Sequence, residues 1–130
     1  STGRDVRSEV AGAIVVSGDR VWLRQAIENL ISNAVANAPE PSPIELLVRR
    51  EDDEAKVLVV DHGPGIPESQ RERVFDRFAR PDAGRDRSHG GAGLGLAIAK
   101  EVVLSHGGEI AVTETPGGGA TFTLSLAAAD

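Results

Sequence analysis

The chain has 130 residues, 40% apolar and 26% charged, which fits one globular domain with a buried core and not a disordered segment. It contains no cysteine, which excludes disulfide frameworks, thiolate metal sites and cysteine nucleophiles, and its three histidines show no HExxH spacing. A net charge of -6 and an aromatic content of 3% argue against nucleic-acid binding, and no apolar run approaches the roughly 20 residues that cross a bilayer.

In chain order, residues 5–16 read as two short strand-like runs broken at Ala11-Gly12. A turn follows at Ser17-Gly18, and Asp19 is placed to cap a helix, its carboxylate accepting first-turn amide hydrogens. Val21, Leu23, Ile27, Leu30, Ile31, Ala34 and Ala38 recur at three- and four-residue intervals, which predicts a helix ended by Pro39, Pro41 and Pro43. Alternating runs at 44–50 and 55–61, joined by Glu51-Asp52-Asp53-Glu54, predict a hairpin. Residues 68–78 read as a short helix with an irregular exit, and 79–93 are polar and glycine-rich without hydrophobic period. A second long helix is expected over 94–106, stopped by Gly107-Gly108. Runs at 108–113 and 120–126 then predict a terminal hairpin around Pro116-Gly117-Gly118-Gly119. The expected fold is a single α/β two-layer sandwich over residues 1–130. Its mixed, mostly antiparallel sheet has about five strands, covered on one face by about three helices.

Four segments carry residues that packing does not demand. Asn29 and Asn33 lie one turn apart on one helix face, although asparagine is a poor helix former. An amide carbonyl can ligate Mg²⁺ and an amide NH₂ can donate to a phosphate oxygen; solvated or capping asparagines are the plainer alternative. Asp61-His62-Gly63-Pro64-Gly65-Ile66 follows an apolar strand, where a carboxylate must meet a donor or bear a desolvation cost. The exocyclic amine of adenine is one such donor, whereas guanine presents a carbonyl there; an ordinary Asp-Gly turn is the competing reading. Gly90-Gly91-Ala92-Gly93-Leu94-Gly95-Leu96 opens a helix and can cradle phosphate with backbone amides, yet it is neither a P-loop nor a strand-exit GxGxxG. Gly118-Gly119-Ala120-Thr121-Phe122 is, alone, compatible with a plain hairpin turn.

In order and spacing these segments resemble the ATP-binding domain of the GHKL superfamily, and most closely the catalytic domain of bacterial two-component sensor histidine kinases. Residues 25–37 correspond to its N box, 61–66, 90–96 and 118–122 to its three glycine boxes, and Phe75-Asp76-Arg77-Phe78 to its F box. The resemblance spans residues 14–126 and implies a Bergerat-type fold that uses ATP and Mg²⁺. It implies that Asn33 coordinates Mg²⁺, that Asn29 contacts the phosphates and that both serve catalysis. Asp61 would read the adenine amine, with Gly63 and Gly65 shaping that pocket and Thr121 near the base, through water. Gly91, Gly93 and Gly95 would hold the phosphates and the end of a mobile lid over residues 79–92. Arg80, Arg85, Arg87 and His89 of the lid are candidate phosphate contacts. Asn37, Ile66, Leu94 and Leu96 complete the nucleotide-binding set. The phenylalanines of the F box would anchor the lid hinge, with core packing the plainer role for Phe75.

Two positions depart from the family pattern. Asn37 stands where an aromatic residue or histidine is common, and Ala36 where a basic residue is common. A modest ATP affinity, on the order of tens of micromolar or weaker, is therefore expected. The superfamily's ATP hydrolases carry a glutamate four residues before the Mg²⁺ asparagine as a base for water. Here that residue is Asn29, which cannot take a proton, so transfer of the γ-phosphoryl group to a histidine is favoured over hydrolysis. A nucleotide-binding regulatory module without catalysis is the alternative. None of His62, His89 and His106 has the context of the family's phosphoacceptor. The expected partners are therefore a separate dimerisation and phosphoacceptor domain of the same protein and a cognate response regulator, with no nucleic acid. The domain itself would lie outside the membrane, as the cytoplasmic part of a plasma-membrane sensor.

Overall fold

Five strands form one mixed sheet in the computed structural model, in the order β1-β2-β3-β5-β4. The structure describes residues 6–10, 16, 18–37, 43–76 and 94–128, and for residues 6–10, 37 and 94 the backbone alone. β1 (Val6–Val10) runs parallel to β2 (Ile44–Glu51). The remaining neighbours are antiparallel: β2 with β3 (Glu54–Val60), β3 with β5 (Ala120–Ala127), and β5 with β4 (Glu109–Glu114). Of the second expected early run only Val16 is among the described residues, and it forms an antiparallel bridge with Ala128.

Two helices supply the second layer. α1 (Arg20–Asn37) lies over β2 and β3, and α2 (Leu94–Ser105) packs on α1 and against β4 and β5. The period of two in the strands decides which face they cover. Ile44, Leu46 and Val48 of β2, Val57 and Val59 of β3, and Phe122, Leu124 and Leu126 of β5 all join one core cluster. From the helices it takes Leu23, Ala26, Leu30 and Ala34 of α1, and Leu96, Ala99, Val102 and Val103 of α2. Continuing that alternation by one step along β3 brings a carboxylate, Asp61, to the same helix-covered face.

Both helix ends follow from local chemistry. Asp19 Oδ1 accepts from the backbone N–H groups of Val21 (3.0 Å) and Trp22 (3.2 Å), the cap expected from the sequence. α2 ends in a Schellman closure, with Gly108 N–H donating to the Val103 carbonyl (2.9 Å) and Gly107 N–H to that of Leu104 (3.0 Å). Gly107 has φ +76°, the left-handed conformation that this closure needs.

The short helix expected over 68–78 is instead two separate 3₁₀ turns, Glu68–Gln70 and Arg73–Phe75, with residues 77–78 outside the described part. Residues 68–73 carry no apolar side chain to bury, so only Val74 and Phe75 anchor the segment, too few for a nucleated α-helix. The helical layer thus comprises two α-helices and these turns among the described residues. Phe75 is a core residue, buried edge-to-face on Phe122 with ring centroids 5.9 Å apart.

Leu30 is fully buried between the layers, whereas Leu104 on α2 is 53% exposed. Leu30→Ala is expected to lower stability by about 2–5 kcal/mol and Leu104→Ala by less than about 0.5 kcal/mol, read from urea unfolding midpoints. Equal losses would contradict the packing described.

Candidate functional site

Asp61 follows β3 and is only 2% exposed. Its backbone continues the sheet ladder, the N–H donating to the Ala120 carbonyl at 2.9 Å. Its carboxylate Oδ1 accepts two backbone N–H groups, from Gly63 at 3.0 Å and from Ala120 at 3.2 Å. Among the described residues no donor reaches Oδ2. A buried carboxylate oxygen left in that condition is costly, and a ligand that brings an N–H removes the cost, while one that brings a carbonyl is repelled.

The glycines around Asp61 are required by close approach. Gly119 has φ +122°, and a Cβ there would fall on the Asp61 backbone carbonyl and within 2.8 Å of the His62 Cα. Gly65, at φ +79°, lies less tightly against the Gly119 carbonyl, which would be 3.1 Å from its Cβ. The loop after β3 and the turn before β5 therefore mesh backbone against backbone, and that mesh aims the Asp61 side chain. Next along β5, Thr121 is buried, with its hydroxyl 2.8 Å from that of Thr115.

A second assembly sits on the helices. Asn29 Nδ2 donates to the Gly95 carbonyl in the first turn of α2 (3.1 Å), and Gln25 Nε2 donates to Asn29 Oδ1 (2.8 Å). The helices are close here without requiring a glycine: a Cβ at Gly95 would make only ordinary contact with Asn29, 3.8 Å from its Cβ. Asn33 is half-buried one turn further along α1, the helix that lies across the strand leading to Asp61. The structure thus joins the first glycine segment to the third, and the paired-asparagine helix to the second.

Residues 18–130 match the model of the histidine kinase-, DNA gyrase B- and HSP90-like ATPase family. The chain belongs to that family. It is 44% identical over 124 residues to the sensor-like histidine kinase SenX3 of Mycobacterium tuberculosis, covering 95% of this chain but only 30% of SenX3. The mycobacterial sensor histidine kinase MprB superposes with a TM-score of 0.85 at 32% identity, over 98% of this chain and 83% of that one. Full-length ShkA in complex with AMPPNP superposes with a TM-score of 0.82 at 30% identity, over 98% of this chain and 26% of that one.

Several residues that the histidine kinase-like ATPase pattern singles out lie outside the described part: Arg80, Arg85, Arg87, His89, Gly91 and Gly93, with the Asn37 and Leu94 side chains. Leu96 is buried, and Ile66 packs against the same core cluster. Two contributors escaped the sequence reading. Arg71 Nε donates to the Ile66 carbonyl at 3.1 Å, tying the first glycine segment to the 3₁₀ turn behind it. Thr115 partners Thr121. Both contacts span only five or six residues, but no residue pattern announces them, because each depends on how one irregular segment turns back on itself. His62 pairs with Glu45 of β2, Nε2 to Oε1 at 3.6 Å, on the exposed side.

Gly117 and Gly119 both have positive φ, but only Gly119 touches another segment. Gly119→Ala is expected to destabilise by about 2 kcal/mol more than Gly117→Ala, since the added methyl must displace the Asp61 backbone. Thermal unfolding of the two variants measures the difference; equal shifts would contradict the meshed arrangement.

Proposed function

We propose that this chain is the ATP-binding catalytic domain of a sensor histidine kinase. In this reading it passes the γ-phosphoryl group of ATP to a histidine on a separate dimerisation and phosphoacceptor domain, for relay to a response regulator. The observation that carries the reading is Asp61, a buried carboxylate with one oxygen satisfied and the other meeting no donor among the described residues. The 6-amino group of adenine fits that oxygen, and the 6-carbonyl of guanine does not. Similarity to SenX3 and MprB supports the kinase class, and similarity to ShkA, whose structure holds AMPPNP, supports the nucleotide.

The residues present also fit Mg²⁺. Asn33 offers a neutral amide oxygen, which suits a hard cation that arrives with the triphosphate and keeps several waters. Bound there, the metal would supply charge neutralisation on the phosphates. Three or more grouped His, Cys, Asp or Glu residues are absent among the described residues, so this is not a self-contained metal cage. Asn29 holds the turn at Gly95 where a hydrolase of the family would place a basic carboxylate, and it has no capacity to deprotonate water. The rate would then rest on placing the phosphoryl group and stabilising its charge. The lid arginines Arg80, Arg85 and Arg87, with Gly91, Gly93 and Gly95, are proposed to meet the phosphates. Asn37, Gly63, Gly65, Ile66, Leu94, Leu96 and Thr121 complete the pocket. No helix among the described residues is long and apolar enough to cross a membrane. We place the domain on the cytoplasmic side of a membrane-bound sensor.

Radiolabelled ATP distinguishes the outcomes. The chain is expected to bind ATP without releasing phosphate steadily, and to label a supplied phosphoacceptor domain; sustained release without labelling would contradict the kinase reading. Asp61→Asn gives a sharper test. Oδ1 faces two N–H donors, so the new amide must put its oxygen there and its NH₂ in the Oδ2 position. Loss of ATP binding by at least about tenfold, with a relative gain for GTP and an intact fold, is expected in an equilibrium titration. Unchanged ATP affinity would overturn the adenine assignment.

A further inference from the structure

α1 and α2 run antiparallel, and side-chain ties join them at two places. One is the Asn29–Gly95 bond. The other lies at the opposite end of the pair, where His106, directly after α2, meets Asp19, directly before α1, with the Asp19 N–H donating to His106 Nε2 at 3.0 Å. Ten residues separate Asp19 from Asn29 and eleven separate Gly95 from His106. At 1.5 Å per helical residue those are spans of about 15 Å and about 16 Å. The ties therefore match in spacing, and two matched points on a helix pair fix both its sliding and its rotation. A slip of one residue breaks both.

We propose that His106 is a positioning residue that sets the register of α1 on α2 and thereby holds Asn29 against Gly95. The ring can do so in only one form. Its Nδ1 is 2.7 Å from the Val102 carbonyl, which only accepts, so Nδ1 carries a hydrogen. Its Nε2 faces the Asp19 N–H, which only donates, so Nε2 presents a lone pair. The working species is the neutral Nδ1–H tautomer. Ser105 Oγ donates to the same Val102 carbonyl at 2.8 Å and braces that end of the ring. On the other side Gly18 leaves the ring its place: a Cβ at Gly18 would fall on His106 Cδ2 and lie 2.8 Å from Nε2. The Asp19 N–H precedes the helical ladder of α1, and His106 supplies its acceptor. The consequence for nucleotide affinity rests on the function proposed above; the register itself does not.

The test uses the full chain at about pH 8. Nitrogen-15 spectra of the His106 ring are expected to show the Nδ1–H tautomer, and the Nε2–H form would overturn the proposal. His106→Ala is expected to shift the Asn29 side-chain amide resonances and to weaken ATP binding about fivefold. His106→Gln, whose Oε1 can accept from the Asp19 N–H, is expected to restore both to within about twofold. Gly18→Ala keeps the imidazole but displaces it, and is expected to move the Asn29 resonances as His106→Ala does, so the question stays decidable if the alanine variant fails to fold. A lower melting temperature with unchanged Asn29 resonances and unchanged affinity would mean a merely structural histidine and would overturn the proposal. Failure of the unmodified chain to bind ATP would refute the proposed function instead, and the ring tautomer and Asn29 resonances would still decide the role of His106.

Discussion

A carboxylate held out of water, with one oxygen satisfied and the other meeting no donor among the described residues, is the constraint on which the candidate site depends. Sheet geometry delivers it: Val57 and Val59 line the helix-facing side of β3 and Asp61, directly after the strand, continues that alternation, so an ionisable group arrives where an apolar one would pack. The Gly63 and Ala120 amides anchor Oδ1 and fix the direction of Oδ2. Both donors are backbone groups, so their positions are set by the chain path and not by side-chain rotamers. That rigidity favours discrimination between a hydrogen-bond donor and an acceptor, because neither the carboxylate nor its supports can turn to suit the wrong partner.

Around this point the chain uses backbone contact where other folds use side chains. Gly119 lies on Asp61 and His62, and Gly65 lies on Gly119, so two loops distant in sequence close into one wall. The helical half is built differently, by side chains that reach across a seam: Asn29 to Gly95 at one end, His106 to Asp19 at the other. Phe75 connects this half to the sheet, packing edge-on against Phe122 while the Lys100 ammonium of α2 stands 5.5 Å from its ring centroid. The F-box phenylalanine is thus part of the core before it is part of any hinge.

Strand and helix placement was legible in the sequence because period and punctuation agreed. Asp19 announced the start of α1, the proline cluster its end, and Gly107-Gly108 the end of α2. The short helix over 68–78 misled because its polar residues tolerate helix while offering nothing to bury, and tertiary contact settled it as two 3₁₀ turns. The candidate site was drawn from the sequence only through the order of its motifs. What could not be read were contacts made by backbone atoms of distant loops, such as Ala120 to Asp61, or by residues without a motif, such as Arg71 to Ile66. His106 showed only as a polar residue at a helix end, since its partner lies 87 residues earlier in the chain.

The 6-position of the purine is where the account is most exposed. Competition between ATP and purine riboside triphosphate, which lacks only the exocyclic amine, isolates that one hydrogen bond at the Asp61 oxygen. The account predicts that the unmodified chain prefers ATP by about tenfold or more, and equal affinity for the two nucleotides would contradict it.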